Sequence, residues 1–358
     1  MAGNFPGNQC MNTLGTAYPA AWFDGTHIKN QLSDYGASRD TSDTATNPYR
    51  YPSALVKQFT TDLKAEQFPT KDISMTFNAD FDWYFKSMGS DPPTSTQYDL
   101  TVVAIHEILH GLGFYTGWNG ANQVSYINDP NTSKYLLPWF TAEGITSITF
   151  KIWNLQTIFD SFLTANGSPM KGLAVKVSGY QKKSAMKEWA DAVSSSNEIQ
   201  FAKAAFKAAT TSKSIKFQAG VAGFTLYTEN NVLLPSSSIS HFDRIGLSET
   251  QDYLMRPDAK DLMGQSLSML ESSHASWKFG IVGPNTCQIL QALGYLLVDD
   301  AVVKAAATVN DVDMGKFTSA SAQLYFEGIM TSGSLKIVES ARALALILSS
   351  VLACSFVL

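Results

Sequence analysis

Two histidines flank a glutamate in the run His106-Glu107-Ile108-Leu109-His110. Residues four apart lie on one face of an α-helix, so both imidazoles can address a single cation. Neutral imidazole nitrogen is a good Zn²⁺ ligand, and Glu107 stands where it can hold and deprotonate water acidified by that metal. The chain has five histidines in 358 residues, and two of them fall at this spacing. The chemistry this points to is metal-assisted hydrolysis.

A helix has to present these side chains. Tyr98 to Ile105 reads YDLTVVAI, with Asp99 as N-cap ahead of an apolar run. Leu100, Val103 and Ala104 are expected to pack it inward, and Gly111 and Gly113 to end it.

A catalytic zinc site takes three protein ligands and keeps one position open. In the compact pattern HExxHxxGxxH the third ligand would fall at position 116, which here is Thr116, a poor ligand. Gly113 does match the glycine of that pattern. The third ligand therefore comes from elsewhere. His27, His241 and His274 are the remaining histidines, and Asp129 and Glu143 are carboxylate candidates downstream. His27 reads as a turn residue and His274 as an exposed loop residue. His241 lies in Ser238-Ile239-Ser240-His241-Phe242-Asp243, shortly before Asp252-Tyr253-Leu254-Met255-Arg256-Pro257.

Taken together, HEILHGLGF (His106 to Phe114), a long insertion, SISHFD (Ser238 to Asp243) and DYLMRP (Asp252 to Pro257) resemble the leishmanolysin-like metzincins. A secreted HExxHGLGF type is similar in three further segments: Trp83-Tyr84-Phe85, the TIFDSFL run from Thr157 to Leu163, and the run from Gly283 to Leu297. The resemblance covers roughly Asn4 to Leu297. It implies an α+β metzincin fold with an upper sheet, an HExxH helix and a large insertion before the third ligand. It implies zinc held by His106, His110 and His241, with Glu107 as general base and Met255 as the Met-turn methionine. The activity implied is that of a zinc endopeptidase acting on protein or peptide substrates. A non-catalytic, zinc-organised surface protein for adhesion or binding is the rival expectation. Glu107 speaks against that rival, because a structural site needs no general base.

Composition narrows the field. Net charge is −5 and only 16% of residues are charged, which argues against a nucleic-acid partner. At 358 residues the chain can bury a substantial core. Of three cysteines, Cys10 and Cys287 could pair in an oxidising compartment, while Cys354 lies in a terminal apolar run. Asn131 and Asn166 head N-glycosylation sequons. Residues 343–358 are small and apolar, too short for a comfortable membrane span. With the spacer at 336–342 and the small residues 332–334, they look like a GPI-anchor signal. The expected location is extracellular or at the cell surface, as a monomer. Met1 opens no signal peptide, so the start is expected to be truncated.

Organisation follows from periodicity. Residues 1–50 are turn-rich, and Tyr51 to Phe68 carries a helical period. Asp72 to Phe77 alternates as a strand, a candidate cleft edge, and Asp80 to Phe85 reads as a strand end or cleft wall. Within the insertion at 115–240, Ile152 to Ala165 and Gln181 to Thr210 read as helices and Ser214 to Leu234 as strands. Asn285 to Leu297 is an amphipathic closing helix, completing a peptidase domain over 1–300 with a linker at 301–331.

Overall fold

The structure is a computed structural model, and it describes residues 13–24, 49–59, 68–86, 92–120, 136–138, 156–170, 199–234, 236–244, 251–273 and 281–295. In chain order the first elements are β1 (Gly15–Pro19), β2 (Trp22–Asp24), β3 (Tyr49–Pro52), α1 (Ser53–Phe59), β4 (Ile73–Phe77), β5 (Trp83–Tyr84), β6 (Tyr98–Asp99) and α2 (Leu100–Gly111). Next come β7 (Trp118–Gly120), β8 (Leu136–Pro138), β9 (Gln156–Thr157), β10 (Leu163–Ala165), β11 (Ser168–Pro169), α3 (Ile199–Ala209), β12 (Ile215–Ala219) and β13 (Ala222–Thr225). Helices α4 (Leu267–Ser273) and α5 (Pro284–Leu293) close the series. The fold class is α+β. Among the described residues no helix is long and apolar enough to cross a membrane.

The chain forms two compact units. One takes Met1–Trp22, Pro52–Leu112 and Glu249–Leu358; the other takes Phe23–Tyr51 and Gly113–Ser248.

In the first unit β1 pairs antiparallel with β4, Gly15 opposite Phe77 and Pro19 opposite Ile73. Helix α2 packs on both strands. It is buried around most of its circumference, with Val102, Val103, Ala104, Ile105, Ile108 and Leu109 all in the core. Asp99 caps it as expected, its Oδ1 accepting from the Thr101 amide at 2.8 Å. Its Oδ2 accepts from the Leu267 amide at 2.8 Å, so the same carboxylate also caps α4. Gly111 ends α2 against Ile73, and Gly113 takes the left-handed φ of 105° that a side chain would resist.

Two expected helices differ from their periodicity at a described end, and a third run is not α-helical among its described residues. Tyr51 and Pro52 belong to β3, since Pro52 drives its predecessor into extended backbone; the helix starts at Ser53 and is described to Phe59. The closing helix stops at Leu293 because Gly294, at φ 120°, turns the chain left-handed. Ile152 to Ala165 contains no α-helix among its described residues: strand β9, a 3₁₀ turn over Ile158–Phe162 and strand β10 take its place. There Asp160 captures nearby amides and Leu163–Ala165 joins β12. In the run expected as helix from Gln181 to Thr210, α3 covers Ile199–Ala209, and residues 181–198 lie outside those described.

The second unit carries an antiparallel sheet in the order β11-β10-β12-β13. Beneath it Phe114, Phe159, Phe217 and Phe242 form a fully buried cluster, with centroids 4.9–5.3 Å apart along its chain of contacts. Val221 lies in the turn between β12 and β13 and points fully into solvent.

Candidate metal centre

Helix α2 brings His106 and His110 together as their spacing demands. Their Nε2 atoms lie 3.1 Å apart and their rings cross at 83°. Two nitrogens of a tetrahedral zinc site, each about 2.0–2.1 Å from the ion, lie about 3.3 Å from each other. The observed separation is within a few tenths of an ångström of that value, so the pair fits one cation.

Protonation follows from partners. His106 Nδ1 lies 2.7 Å from the carbonyl oxygen of Leu254, which can only accept, so Nδ1 carries the proton and Nε2 the lone pair. Burial lowers the His106 pKa, with the Leu254 contact opposing, and so favours the neutral ring that ligates metal. Orientation of a ligating imidazole by a carbonyl on its far nitrogen is the usual support for such a ligand. Leu254 sits in the 3₁₀ turn Gln251–Met255, where Met255 is fully buried.

Glu107 is buried at 4% exposure, and its Oε2 has no hydrogen-bond partner among the described residues. Burial pushes its pKa up to about 8. A carboxylate oxygen buried without a partner costs on the order of 1–3 kcal/mol, which a bound water, ion or ligand would offset. Strand β1 crosses close to this side chain at Gly15: a Cβ there would meet Glu107 Oε1 at 3.0 Å and Phe77 Cδ1 at 3.1 Å.

His241 lies in the second unit and is 6% exposed. Its Nδ1 is 3.0 Å from the carbonyl oxygen of Ser237, the same tie that orients His106. Its backbone is clamped to the strand before it, Tyr227 donating to the His241 carbonyl at 2.7 Å and Ile239 to the Tyr227 carbonyl at 2.9 Å. Ile239 has a φ of +70°, a conformation that a β-branched residue adopts only under compulsion. This segment also reaches the residues that follow α2. Phe242 packs edge-on against Phe114 at 5.3 Å, and the Thr116 amide donates to Ser240 Oγ at 3.3 Å.

Thr116 itself is committed elsewhere. Its hydroxyl donates to Asp160 Oδ1 at 2.6 Å, while the amides of Gly117 and Thr157 donate to Oδ2 at 2.9 and 2.7 Å. Asp160 thus ties the chain beyond α2 to the TIFDSFL run. Burial pushes its pKa up to about 6, against the downward pull of these hydrogen bonds.

His27, His274, Asp129 and Glu143 lie outside the described residues, as does Cys10. Cys287, buried in α5, is disulfide-bonded. Asn166 is exposed in the turn between β10 and β11, with a φ of 50°. Sequence reasoning passed over Gly15 and Leu254, for a close approach and a carbonyl contact leave no residue-type signature. Asp160 did carry a signal, since Thr157-x-x-Asp160 is a capping-box spacing.

A family model described as SPBPB7E8-like matches residues 33–310. Over 80 residues, 22% of this chain, the sequence is 40% identical to "Uncharacterized protein PB7E8.01" of Schizosaccharomyces pombe. That stretch spans 13% of the relative's own length. No solved structure matches.

Proposed function

The chain belongs to the SPBPB7E8-like family, and we propose that it is a zinc-dependent endopeptidase of metzincin architecture. The observation that carries this reading is the pair of Nε2 atoms 3.1 Å apart on α2, flanking a buried glutamate whose Oε2 has no partner among the described residues. In this reading His106, His110 and His241 are the metal ligands, Glu107 is the general base and Met255 is the Met-turn residue. Support for His241 comes from its Nδ1 tie, its strained approach, and the contacts of Ser240 and Phe242 with residues just beyond α2.

When bound, zinc supplies Lewis acidity that polarises a carbonyl and lowers the pKa of water. Glu107 takes the proton from the attacking water on its carboxylate and passes it to the leaving amine. Burial of Glu107 keeps bulk water from competing for that proton, and its raised pKa would fall beside a cation held by the histidines. His106 is held by the Leu254 carbonyl with its Nε2 lone pair free to ligate.

The proposal extends to an extracellular or cell-surface location, with GPI attachment signalled by 332–358 and N-glycans at Asn131 and Asn166. The disulfide at Cys287 is in keeping with an oxidising compartment. Substrates are proteins or peptides, and the protein acts as a monomer.

The test is zinc stoichiometry on purified protein beside His241→Ala and Glu107→Gln, with casein hydrolysis assayed in the same samples. One zinc with chelator-sensitive hydrolysis, both lost in His241→Ala, is the expected result. Glu107→Gln should keep zinc and lose about 10²–10⁴-fold in hydrolysis. Full zinc in His241→Ala would overturn the ligand set. Stable zinc with no hydrolysis in the wild type would leave a zinc-organised binding protein.

A further inference from the structure

The turn that holds His106 is itself held at both ends. Helix α5 begins at Pro284, and its N-cap Gly283 supplies no side-chain hydrogen bond. The first amides of a helix need acceptors from elsewhere. Asp252 provides them. Its Oδ1 accepts from the Thr286 amide at 2.7 Å and from the Thr286 hydroxyl at 3.1 Å, and its Oδ2 from the Asn285 amide at 3.2 Å. Asp252 is 1% exposed, so this contact is shielded from solvent and its charge is balanced by the helix N-terminus.

Asp252 also lies near the start of the 3₁₀ turn Gln251–Met255, two residues before Leu254. The far end of that turn is fixed by Arg256, which donates to Asp261 and, through Nε, to the Tyr253 carbonyl at 3.3 Å. Between these two anchors the Leu254 carbonyl accepts from His106 Nδ1 at 2.7 Å. Leu254 and Met255 are both buried, so the carbonyl can move only if the turn moves. The line of support runs from the α5 N-terminus through Asp252 and the turn to His106, all within one compact unit.

We propose that Asp252 is a positioning residue for the metal centre: by clamping the turn to α5 it sets the Leu254 carbonyl, and through it the orientation and tautomer of His106. The proposal rests on the zinc reading above for its functional consequence, but the link from Asp252 to His106 exists in the metal-free chain. An ordinary N-cap would do no more than stabilise α5. Asp252 additionally dictates which nitrogen of His106 carries the proton.

The experiment compares Asp252→Ala and Asp252→Asn with Leu290→Ala, which truncates a fully buried side chain of α5 and removes none of the side-chain hydrogen bonds of Asp252 and Arg256. In ¹⁵N-labelled metal-free protein the Nδ1–H resonance of His106 is followed, assigned by its loss in His106→Gln. Zinc affinity is measured on the same proteins by chelator competition. Asp252→Ala should shift or broaden the His106 resonance and weaken zinc binding by about 10–100-fold. Asp252→Asn, which keeps one acceptor, should fall between it and wild type and covers the case in which the alanine variant does not fold. Leu290→Ala should lower the melting temperature yet leave both readouts at wild-type values. An unmoved His106 resonance in both Asp252 variants, or an equal change in Leu290→Ala, would overturn the proposal. If the wild type binds no zinc while Asp252 still governs the His106 resonance, the positioning link stands and the zinc reading falls.

Discussion

Gly15 and Glu107 lie so close that a single methyl would not fit between them without movement: a Cβ on Gly15 would stand 3.0 Å from Oε1 and 3.1 Å from Cγ. The same Cβ would stand 3.1 Å from Phe77 Cδ1, so an added methyl would press on both the glutamate and an aromatic ring.

Gly15→Ala should therefore displace the Glu107 carboxylate by a few tenths of an ångström. Misplacement of a catalytic group by 1 Å can cost about a hundredfold, so a loss of roughly tenfold in kcat is expected. Zinc content should be unchanged, because the atoms nearest to an added Cβ belong to Glu107 and Phe77 and not to a proposed ligand. Full activity in Gly15→Ala would show that Glu107 has room the packing denies.

Asp99 serves two helices, and its removal should be felt in both. Losing one cap costs about 0.5–2 kcal/mol, so Asp99→Ala is expected to cost about 1–4 kcal/mol. Urea unfolding would measure it. A cost under half a kilocalorie would mean that water replaces the carboxylate at both amides.

Asp160 makes stability depend on pH. Its pKa is pushed up to about 6 in the folded chain against 3.8 for a free side chain. The folded state then holds a proton that the unfolded state has released. Stability from this group is complete below the unfolded value and is lost as pH rises through about 6. Two units correspond to roughly 3 kcal/mol. Thermal melts from pH 4 to 7 should show the decline, and Asp160→Asn should flatten it. A parallel slope in the variant would assign the titration to another group.

Ile239 stores strain beside His241. Ile239→Val keeps a β-branched side chain at the same φ and should cost only about 0.5–1.5 kcal/mol for its missing methylene, with zinc affinity unchanged. Ile239→Gly releases the backbone, and the ligand loop should loosen, with zinc binding weaker than in Ile239→Val. Equal affinity in the two variants would mean that the strained φ does not hold His241 in place.

What the sequence disclosed follows from how local each cause is. The His106–His110 pair, the Asp99 cap and the alternation of Ile73, Met75 and Phe77 depend on neighbours within a few residues, and all were legible. Strand β1 was not, because Gly15 to Pro19 owes its extended form to β4, more than fifty residues on. The helical period of Ile152 to Ala165 was misleading for the same reason, since pairing with β12 and capture by Asp160 outweighed it. The second role of Asp99 and the hold of Leu254 on His106 arise between segments 168 and 148 residues apart. Spacing rules do not reach that far.

That last separation has a consequence for the order of assembly. A ribosome delivers α2 long before it delivers the carbonyl that fixes His106, 148 residues later, or the Leu267 amide that completes Asp99. Contacts of such sequence distance form late, after the loop-closure entropy has been met. During synthesis the histidine pair is present but unoriented, and the intervening residues emerge before the turn at Gln251–Met255 can dock. Orientation of His106 is thus acquired only once the turn at Gln251–Met255 has been made.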